Sequence, residues 1–332
     1  MVHCRHSQLT KTLNSMQNNN LNVVVLAGGS SAEADVSRQS AAQVKLALMN
    51  TGFQVSVVEL DRNCPSELIK IQPDVVFPAL HGPPGEDGTV QGLLEMLGLC
   101  YVGSDVRGSA MAMDKAVAKS IFKRHGLPII DDYIVEPSAD LAATAADIER
   151  LLGPRVAIKP LNQGSALGVQ LLPNGGDIAA ALAQCLAFGR CLVEPFILGR
   201  EVTVGVLETP KGSKAHPVIE ICTAENEWYD YHNRYTPGQS SHVMPAEVSE
   251  ELAEQLRSTA LSAHKALGLR DLSRSDFILT DTDQIVLLEV NALPGMTPVS
   301  LYPEGAAAIG YEFDALIEHL VLRAFRRGQT KR

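Results

Sequence analysis

Apolar and polar positions in the first hundred residues alternate in blocks that predict strands separated by helices. An apolar run from Leu21, LNVVVLAGG, predicts a buried strand that ends on two glycines, and the segment after it predicts a helix that ends at Gly52. The runs that predict two more strands and a second helix are FQVSVVEL, DVVFPALHG and TVQGLLEMLGL. Strands that alternate with helices are typical of a parallel α/β sheet.

The pattern changes after residue 104, where strands become more frequent. A helix, MDKAVAKSIFKRHG, and a strand, RVAIKP, precede a glycine-rich loop, and more strands follow from about Leu192. An irregular polar stretch at 225–241 and a long helix lead to DFILTD and IVLLEV, which predict a hairpin across Asp281 to Asp283. We therefore expect a polar tail at 1–20, an α/β domain at 21–104, a central unit at 105–194 and a C-terminal unit at 195–332.

Composition narrows the class of protein. The chain has 332 residues, of which 45% are hydrophobic, as expected for a globular protein with two or three packed domains. A net charge of -10 argues against a nucleic-acid surface or an anionic membrane patch, and no apolar run approaches the ~18 residues of a membrane span. The tail lacks the apolar core of a secretory signal, but its His3, Cys4 and His6 leave a transit peptide or a metal tract as alternatives to a loose terminus.

The first glycine-rich segment, LAGGSSAEADVS, lacks the G-x-G-x-x-G fingerprint of a dinucleotide site. Ser30 and Glu33 have the spacing of a capping box, in which the glutamate caps its own helix. Alternatively, Glu33 faces the crevice at the carboxyl end of the first strand, where ligands bind in open α/β sheets. The spacing alone leaves both interpretations open.

The second glycine-rich segment, AIKPLNQGSALG, follows an apolar strand that ends at Lys159. The chain contains no G-x-x-x-x-G-K-[ST] motif, which excludes a P-loop. A lysine beside the exposed backbone N–H groups of a loop with Gly164, Ser165 and Gly168 nevertheless suits a polyphosphate. A surface lysine before an ordinary turn fits the same residues.

The predicted hairpin carries three oxygen-bearing side chains at one end. Asp276 begins its first strand, while Glu289 and Asn291 end the second and share one face. Hard oxygen ligands of this kind, with substrate phosphates, suit Mg²⁺; polar hairpin ends in solvent are the alternative. Arg274 shares the face of Asp276 and suits a carboxylate, a phosphate or an oxyanion, and the backbone N–H of Gly295 offers a second donor.

An aromatic segment, WYDYHNRYTPG, completes the candidate chemistry. Three tyrosines, the only tryptophan and Arg234 fall within eight residues, although aromatic residues make up only 5% of the chain. The segment therefore predicts either an aromatic core cluster or a lid that closes over a site and excludes water.

Together these segments resemble the D-alanine–D-alanine ligase family of ATP-grasp enzymes, from about Leu21 to the C-terminal helix. The matching runs are GGSSAEADVS, ALHGPPGEDGTVQGLLEMLGLCYVGSD, AMAMDK, IKPLNQGSALGV, VEPFILGREVTV, YDYHNRY, SRSDF and LLEVNALPGMTPVS. The resemblance implies a three-domain α/β fold, with a Rossmann-like parallel sheet first and ATP held between two antiparallel sheets of α+β character. It also implies ligation of two D-alanine molecules through an acylphosphate, for peptidoglycan synthesis in a bacterial cytoplasm.

The resemblance assigns roles by motif position. The residues implied for ATP are Lys115 and Lys159 at the phosphates, Glu194 at the adenine, Glu201 at the ribose and Arg234 in the lid. Those implied for two Mg²⁺ or Mn²⁺ ions are Asp276, Glu289 and Asn291, with Arg274 and the Gly295 amide at the tetrahedral intermediate. Those implied for the two D-alanine molecules are Glu33 with Ser165 and Tyr235, His81 nearby, and Ser300 at the second carboxylate.

The chain departs from the family pattern at three positions, which bear on nucleotide affinity. Arg234 replaces a lysine, Ala166 replaces the second serine of a G-S-S run, and Pro195 follows Glu194. Competing functions are a D-alanine–D-lactate ligase, which Tyr235 disfavours, a regulatory protein that has lost catalysis, and a more distant carboxylate–amine ligase. Relatives are commonly dimers, but the sequence shows no interface.

Overall fold

The first strands form a parallel sheet, as the alternating pattern predicted. The structure is a computed structural model that describes residues 21–223 and 240–330. Strand β1 (Asn22–Ala27) lies between β2 (Gln54–Glu59) and β3 (Val75–Pro78) and pairs with both in parallel. The helices of this part are α1 (Ala34–Asn50), α2 (Cys64–Ile71) and α3 (Thr89–Met96). Because helices cover both faces of the sheet, most of β1 is fully buried.

The central part contains an antiparallel sheet in the order β4-β7-β5-β6. Its strands are β4 (Tyr133–Val135), β5 (Val156–Pro160), β6 (Gln170–Leu172) and β7 (Cys191–Pro195). Its helices are α4 (Val106–Met113), α5 (Lys115–Arg124), α6 (Leu141–Leu152) and α7 (Ile178–Cys185), with a 3-10 turn at Leu186–Phe188. The aspartates that precede these four helices accept hydrogen bonds from backbone N–H groups of the first turns and so fix where the helices begin.

The C-terminal part contains a larger antiparallel sheet in the order β11-β10-β8-β12-β13, with β9 beside β8. Its strands are β8 (Arg200–Thr209), β9 (Gly212–Ala215), β10 (Ile219–Thr223), β11 (Ser240–Val243), β12 (Leu272–Leu279) and β13 (Ile285–Asn291). Its helices are α8 (Glu250–Ala266), α9 (Leu301–Ala308) and α10 (Phe313–Gln329). The predicted hairpin is confirmed, because β12 and β13 pair directly.

The last helix returns to the first sheet. Apolar residues of α10, including Leu316 and Leu320, share a core with Val23 of β1 and Val44 of α1. Burial of this apolar face holds the two ends of the described chain together.

A buried ionic cluster reinforces that contact. Asp271, directly before β12, is fully buried and accepts hydrogen bonds from the backbone N–H of Gly103 and from the guanidinium groups of Arg323 and Arg327 on α10. Glu208 accepts a further hydrogen bond from Arg323. The cluster therefore joins the end of the first domain, the large sheet and the last helix.

Within 21–223 and 240–330, no helix combines the length and the apolar character that crossing a bilayer requires.

Candidate active site

A cleft of about 690 Å³ lies between the two antiparallel sheets. This volume is in the range of cofactor and nucleotide pockets. Sequence-predicted residues that line the cleft are Lys115, Lys159, Ser165, Glu194, Glu201 and Glu289. The fold therefore brings together residues that are up to 174 positions apart in the sequence, counting from Lys115 to Glu289.

Glu194 lies between two lysines at the base of the cleft. The Nζ of Lys159 on β5 donates to Glu194 Oε2 on β7 at 2.7 Å, and the Nζ of Lys119 on α5 donates to Oε1 at 2.5 Å. Burial alone would raise the pKa of Glu194, but the two ammonium groups outweigh it and hold the pKa below its usual value. Lys119 is a residue that the sequence did not single out. The signal that could have found it is its position one turn after Lys115 on an amphipathic helix.

Lys115 connects the glycine-rich loop with the hairpin. It is the first residue of α5, and its Nζ donates to the carbonyl oxygen of Gln163 at 2.8 Å and lies 3.4 Å from Glu289 Oε2. Lys115 and Lys159 both line the cleft, so two lysine side chains face one cavity.

The predicted cluster of oxygen ligands is at one end of the hairpin. Asp276 pairs across the ladder with Glu289, and Arg274 pairs with Asn291. The guanidinium of Arg274 donates to both oxygens of Asp276, from Nε and from Nη2, each at 2.8 Å. Thr203 on β8 donates its hydroxyl to the same carboxylate at 2.6 Å. The prediction that Arg274 and Asp276 share one face is thus confirmed.

The oxygen-bearing side chains at this end of the hairpin suit Mg²⁺, but they are too few to fill its coordination shell by themselves. Among the described residues, no group of three His, Cys, Asp or Glu side chains is arranged to hold a metal. Two carboxylates and the amide of Asn291 are present, and the Asn291 oxygen accepts the backbone N–H of Leu293 at 3.0 Å. Because Mg²⁺ commonly uses one or two carboxylates and completes its shell with water and substrate phosphates, the residues fit this ion.

Glu33 faces a second cavity of about 260 Å³ beside the cleft. The capping-box interpretation is wrong: Glu33 is itself the residue before α1 and makes no side-chain cap hydrogen bond. Its carboxylate instead accepts the hydroxyl proton of Ser165, which comes from the glycine-rich loop 132 residues away. Ser31 holds the turn, since its hydroxyl accepts the Glu33 N–H at 3.2 Å and donates to the His81 carbonyl at 2.6 Å.

Two further titratable groups lie beside Glu33. The ring of His81 is buried, with Nε2 at 3.2 Å from Ser40 Oγ, and burial lowers the pKa of His81. Glu86 accepts the Gly82 N–H at 2.6 Å, and its burial raises the pKa of its carboxyl to about 8. The sequence did not single out Glu86, although it belongs to the GPPGEDG loop.

The glycine-rich loop has an unusual backbone between the two cavities. Ser165 and Ala166 adopt positive φ angles of 46° and 56°, and Gly168 has a φ of 74°. A side chain at Gly168 would meet the ring of Phe188 at 2.5 Å, so glycine is required there for space as well as for backbone conformation.

The turn after the hairpin brings Gly295 beside Ser300. A Cβ atom at Gly295 would lie 3.3 Å from Ser300 Oγ, which itself contacts Thr297 Oγ1 at 2.7 Å. Ser300 is the residue before α9. The remaining predicted residues, Arg234 and Tyr235, lie outside the described ranges.

Comparison with known proteins identifies the family. Residues 121–322 match the family model of the D-ala D-ala ligase C-terminus, and residues 64–104 match that of the N-terminus. The D-alanine--D-alanine ligase of Acidiphilium cryptum is 44% identical over 91% of this chain and 98% of its own length. The chain belongs to the D-alanine–D-alanine ligase family. The ligase of Desulforudis audaxviator is 41% identical over the same shares of the two chains.

Solved structures of D-alanine–D-alanine ligases agree with the fold. The Bacillus anthracis enzyme complexed with ATP has a TM-score of 0.80 and is 28% identical, covering 94% of this chain and 100% of that one. The Coxiella burnetii enzyme has a TM-score of 0.79 at 26% identity, covering 94% and 97%. The expected ATP-grasp fold is therefore confirmed.

Proposed function

We propose that this protein joins two D-alanine molecules into D-alanyl-D-alanine, with conversion of ATP to ADP and phosphate. The observation that carries the proposal is the convergence of Lys115, Lys159 and Glu289 on one cleft between the two antiparallel sheets. The family relationship supports the substrates, because curated ligases more than 40% identical extend over nine-tenths of the chain.

Different residues of the cleft would bind different parts of the nucleotide. Lys115 and Lys159 supply two ammonium groups for the phosphates, as point charges that suit several phosphate geometries. Glu194 would bind on the adenine side and Glu201 at the ribose; both line the same cleft. Arg234, outside the described residues, would contribute a further cation by its place in the family motif.

Asp276, Glu289 and Asn291 would hold two Mg²⁺ or Mn²⁺ ions. Such ions, when bound, would neutralise the charge of the phosphates during phosphoryl transfer. Thr203 and Arg274 both donate hydrogen bonds to Asp276 and so fix the orientation of its carboxylate.

The reaction itself requires an activated carboxylate and a stabilised oxyanion. A carboxylate is a poor electrophile until one of its oxygens accepts the γ-phosphoryl group of ATP and ADP leaves. The amine of the second D-alanine then attacks the acylphosphate, loses a proton and displaces inorganic phosphate. Arg274 and the backbone N–H of Gly295 would stabilise the oxyanion that develops in this step. Arg274 is 8% exposed, so its charge acts in a region with little competing water.

The smaller cavity would hold the first D-alanine. Glu33 provides a carboxylate for its ammonium group, and the hydroxyl of Ser165 fixes the orientation of that carboxylate. His81 lies nearby, since its carbonyl accepts the Ser31 hydroxyl at 2.6 Å, and Tyr235 would complete the set by its place in the motif. Ser300, next to Gly295, would bind the carboxylate of the second D-alanine.

The proposal extends to the setting of the enzyme. Its product enters the peptidoglycan precursor and its co-substrate is ATP, so we place the activity in a bacterial cytoplasm. A homodimer is proposed from the habit of the family alone. The D-alanine–D-lactate activity is the second candidate, and the presence of Tyr235 makes it the weaker one.

Product analysis distinguishes these functions directly. Purified protein with Mg-ATP receives D-alanine, L-alanine, or D-alanine with D-lactate; ADP release is followed in a coupled assay and products are identified by mass spectrometry. We expect D-alanine-dependent ADP release with D-alanyl-D-alanine as product. A depsipeptide product would favour the lactate-using ligase, and nucleotide binding without ADP release would favour the regulatory function.

A further inference from the structure

Lys119 has no role in the proposed function, yet its side chain is buried, which is unfavourable for a charged group unless it is paired. Its side chain is 3% exposed, on the face of α5 that also buries Ala118 and Phe122. An unpaired ammonium there would be strongly unfavourable, so its two carboxylate contacts, Glu194 at 2.5 Å and Asp132 at 3.2 Å, must stabilise it. Two carboxylates from different parts of the chain thus contact the Lys119 ammonium group, so its burial is a specific feature of the fold.

The two lysines on Glu194 differ in what else they face. Lys159 lines the cleft, and its side chain is 17% exposed, whereas Lys119 is 3% exposed, does not line the cleft and contacts the other oxygen of Glu194. Burial works against the charged form of Lys159, but the attraction of Glu194 outweighs it and raises the pKa of Lys159. Lys159 therefore stays charged and faces the cleft, while Lys119 keeps its contacts with Glu194 and Asp132.

A phosphate that binds Lys159 competes with Glu194 for the same ammonium group. Glu194 is 2% exposed, so desolvation would strongly destabilise its carboxylate if no cation contacted it. With Lys119 in place, Glu194 keeps a counter-charge while Lys159 turns to the ligand. Without Lys119, Glu194 would have Lys159 as its remaining ion-pair partner among the described residues.

We propose that Lys119 is a positioning residue that frees Lys159 to bind the ATP phosphates by serving as the permanent counter-ion of Glu194. The inference rests on the proposed function in one respect, namely that the cleft binds ATP. It predicts a specific defect: loss of Lys119 should weaken the hold on the phosphates and leave the hold on the nucleoside nearly intact.

Calorimetric titration of Mg-ATP and of adenosine tests this prediction, with no D-alanine present. For Lys119→Met we expect about tenfold weaker binding of Mg-ATP, or ~1.4 kcal/mol, and adenosine binding within twofold of the unchanged protein. Lys119→Arg, which keeps the charge, should bind Mg-ATP more tightly than Lys119→Met. The matched control is Lys123→Met, an exposed lysine one turn further along α5, which should change neither affinity.

Equal losses for Mg-ATP and adenosine would show a merely structural role and overturn the inference, as would unchanged affinity for both. If Lys119→Met does not fold, a second comparison decides. Once Glu194→Gln has removed the buried charge, adding Lys119→Met should alter Mg-ATP affinity by less than twofold, and a further tenfold loss would contradict the proposal. Absence of Mg-ATP binding by the unchanged protein would instead overturn the proposed function, and this inference with it.

Discussion

Replacement of Asp271 by asparagine should destabilise the protein strongly with little change of shape. The Asp271 side chain is 0% exposed and accepts four hydrogen bonds: from Gly103 N at 2.9 Å, from Arg323 Nε at 3.0 Å, and from Arg327 Nη1 at 2.5 Å and Nη2 at 2.9 Å. Asparagine has nearly the same volume and tolerates the positive φ of 65° found here. The substitution therefore removes a charge and turns one acceptor into a donor.

The size of the destabilisation depends on which cations lose their ion-pair partner. Removal of one member of a buried ion pair costs about 3–5 kcal/mol, because the other charge stays buried and uncompensated. Arg323 keeps Glu208, so the loss falls mainly on Arg327 and should lie near the lower end of the range. A loss of about 3 kcal/mol, at roughly 2–4 °C per kcal/mol, would lower Tm by roughly 6–12 °C.

Thermal and urea unfolding followed by circular dichroism measure this effect. Asp35→Asn is the matched control: Asp35 contacts Arg38 at 2.6 Å, but its side chain is 90% exposed, so the change should cost less than about 0.5 kcal/mol. If Asp271→Asn shifts Tm no more than Asp35→Asn does, the cluster does not hold the last helix to the sheet and the reasoning fails.

Three further changes test the site and its surroundings. Glu289→Gln should abolish ADP release with an unchanged Tm, and near-normal turnover would remove this residue from the metal site. Gly168→Ala places a Cβ atom 2.5 Å from the Phe188 ring at a φ of 74° and should raise KM for ATP several-fold, whereas Gly126→Ala, with a φ of 66° and open space, should affect only stability. Because burial raises the pKa of Glu86 from 4.5 to about 8, the folded state binds more protons between these values and stability falls as pH rises through them. In urea unfolding at pH 5 and pH 8.5, Glu86→Gln should lessen that fall, which is at most roughly 5 kcal/mol; an unchanged fall would exclude Glu86 as its source.

The hairpin that carries the oxygen ligands was predictable because its signals are local. Side chains two apart on a strand share a face, and the apolar runs on either side of Asp281 to Asp283 fix the pairing, so Asp276 and Glu289 were expected at one end. The contact of Ser165 with Glu33 could be found only through the family resemblance. The two residues are 132 positions apart, and hydrophobic periodicity does not show which loops contact each other.

Other features depend on packing that local patterns do not encode. The run around Lys119 predicts an amphipathic helix correctly, but a lysine within it is expected at the surface unless a carboxylate from another element meets it. That carboxylate, Glu194, belongs to a strand 75 positions later. The Ser30–Glu33 spacing satisfies the local rule for a capping box, but the Glu33 carboxylate instead contacts Ser165 from a distant part of the sequence.

The charged side chains of the cleft form ion pairs with one another. The pairs are Lys159 with Glu194 at 2.7 Å, Arg274 with Asp276 at 2.8 Å and Lys115 with Glu289 at 3.4 Å. Each of these three cations is proposed to meet a phosphate or an oxyanion and contacts a carboxylate, and two of these carboxylates are proposed metal ligands. A ligand that carries anions and cations together can replace both members of a pair, whereas an anion alone takes the cation and leaves its carboxylate uncompensated.

The cleft should therefore bind ATP and a divalent cation as one unit. ATP without metal would draw Lys115 to its phosphates and face Glu289, and two like charges about 4 Å apart repel by roughly 4 kcal/mol at an effective dielectric constant near 20. Glu289 is 33% exposed, so solvent reduces this figure, and we expect ATP in EDTA to bind at least about tenfold more weakly than Mg-ATP. Glu289→Gln should narrow the gap by removing the repelling charge. Equal affinity of the unchanged protein for ATP with and without Mg²⁺ would show that the carboxylates do not oppose the phosphates, and that the paired charges of the cleft have no part in selecting its ligand.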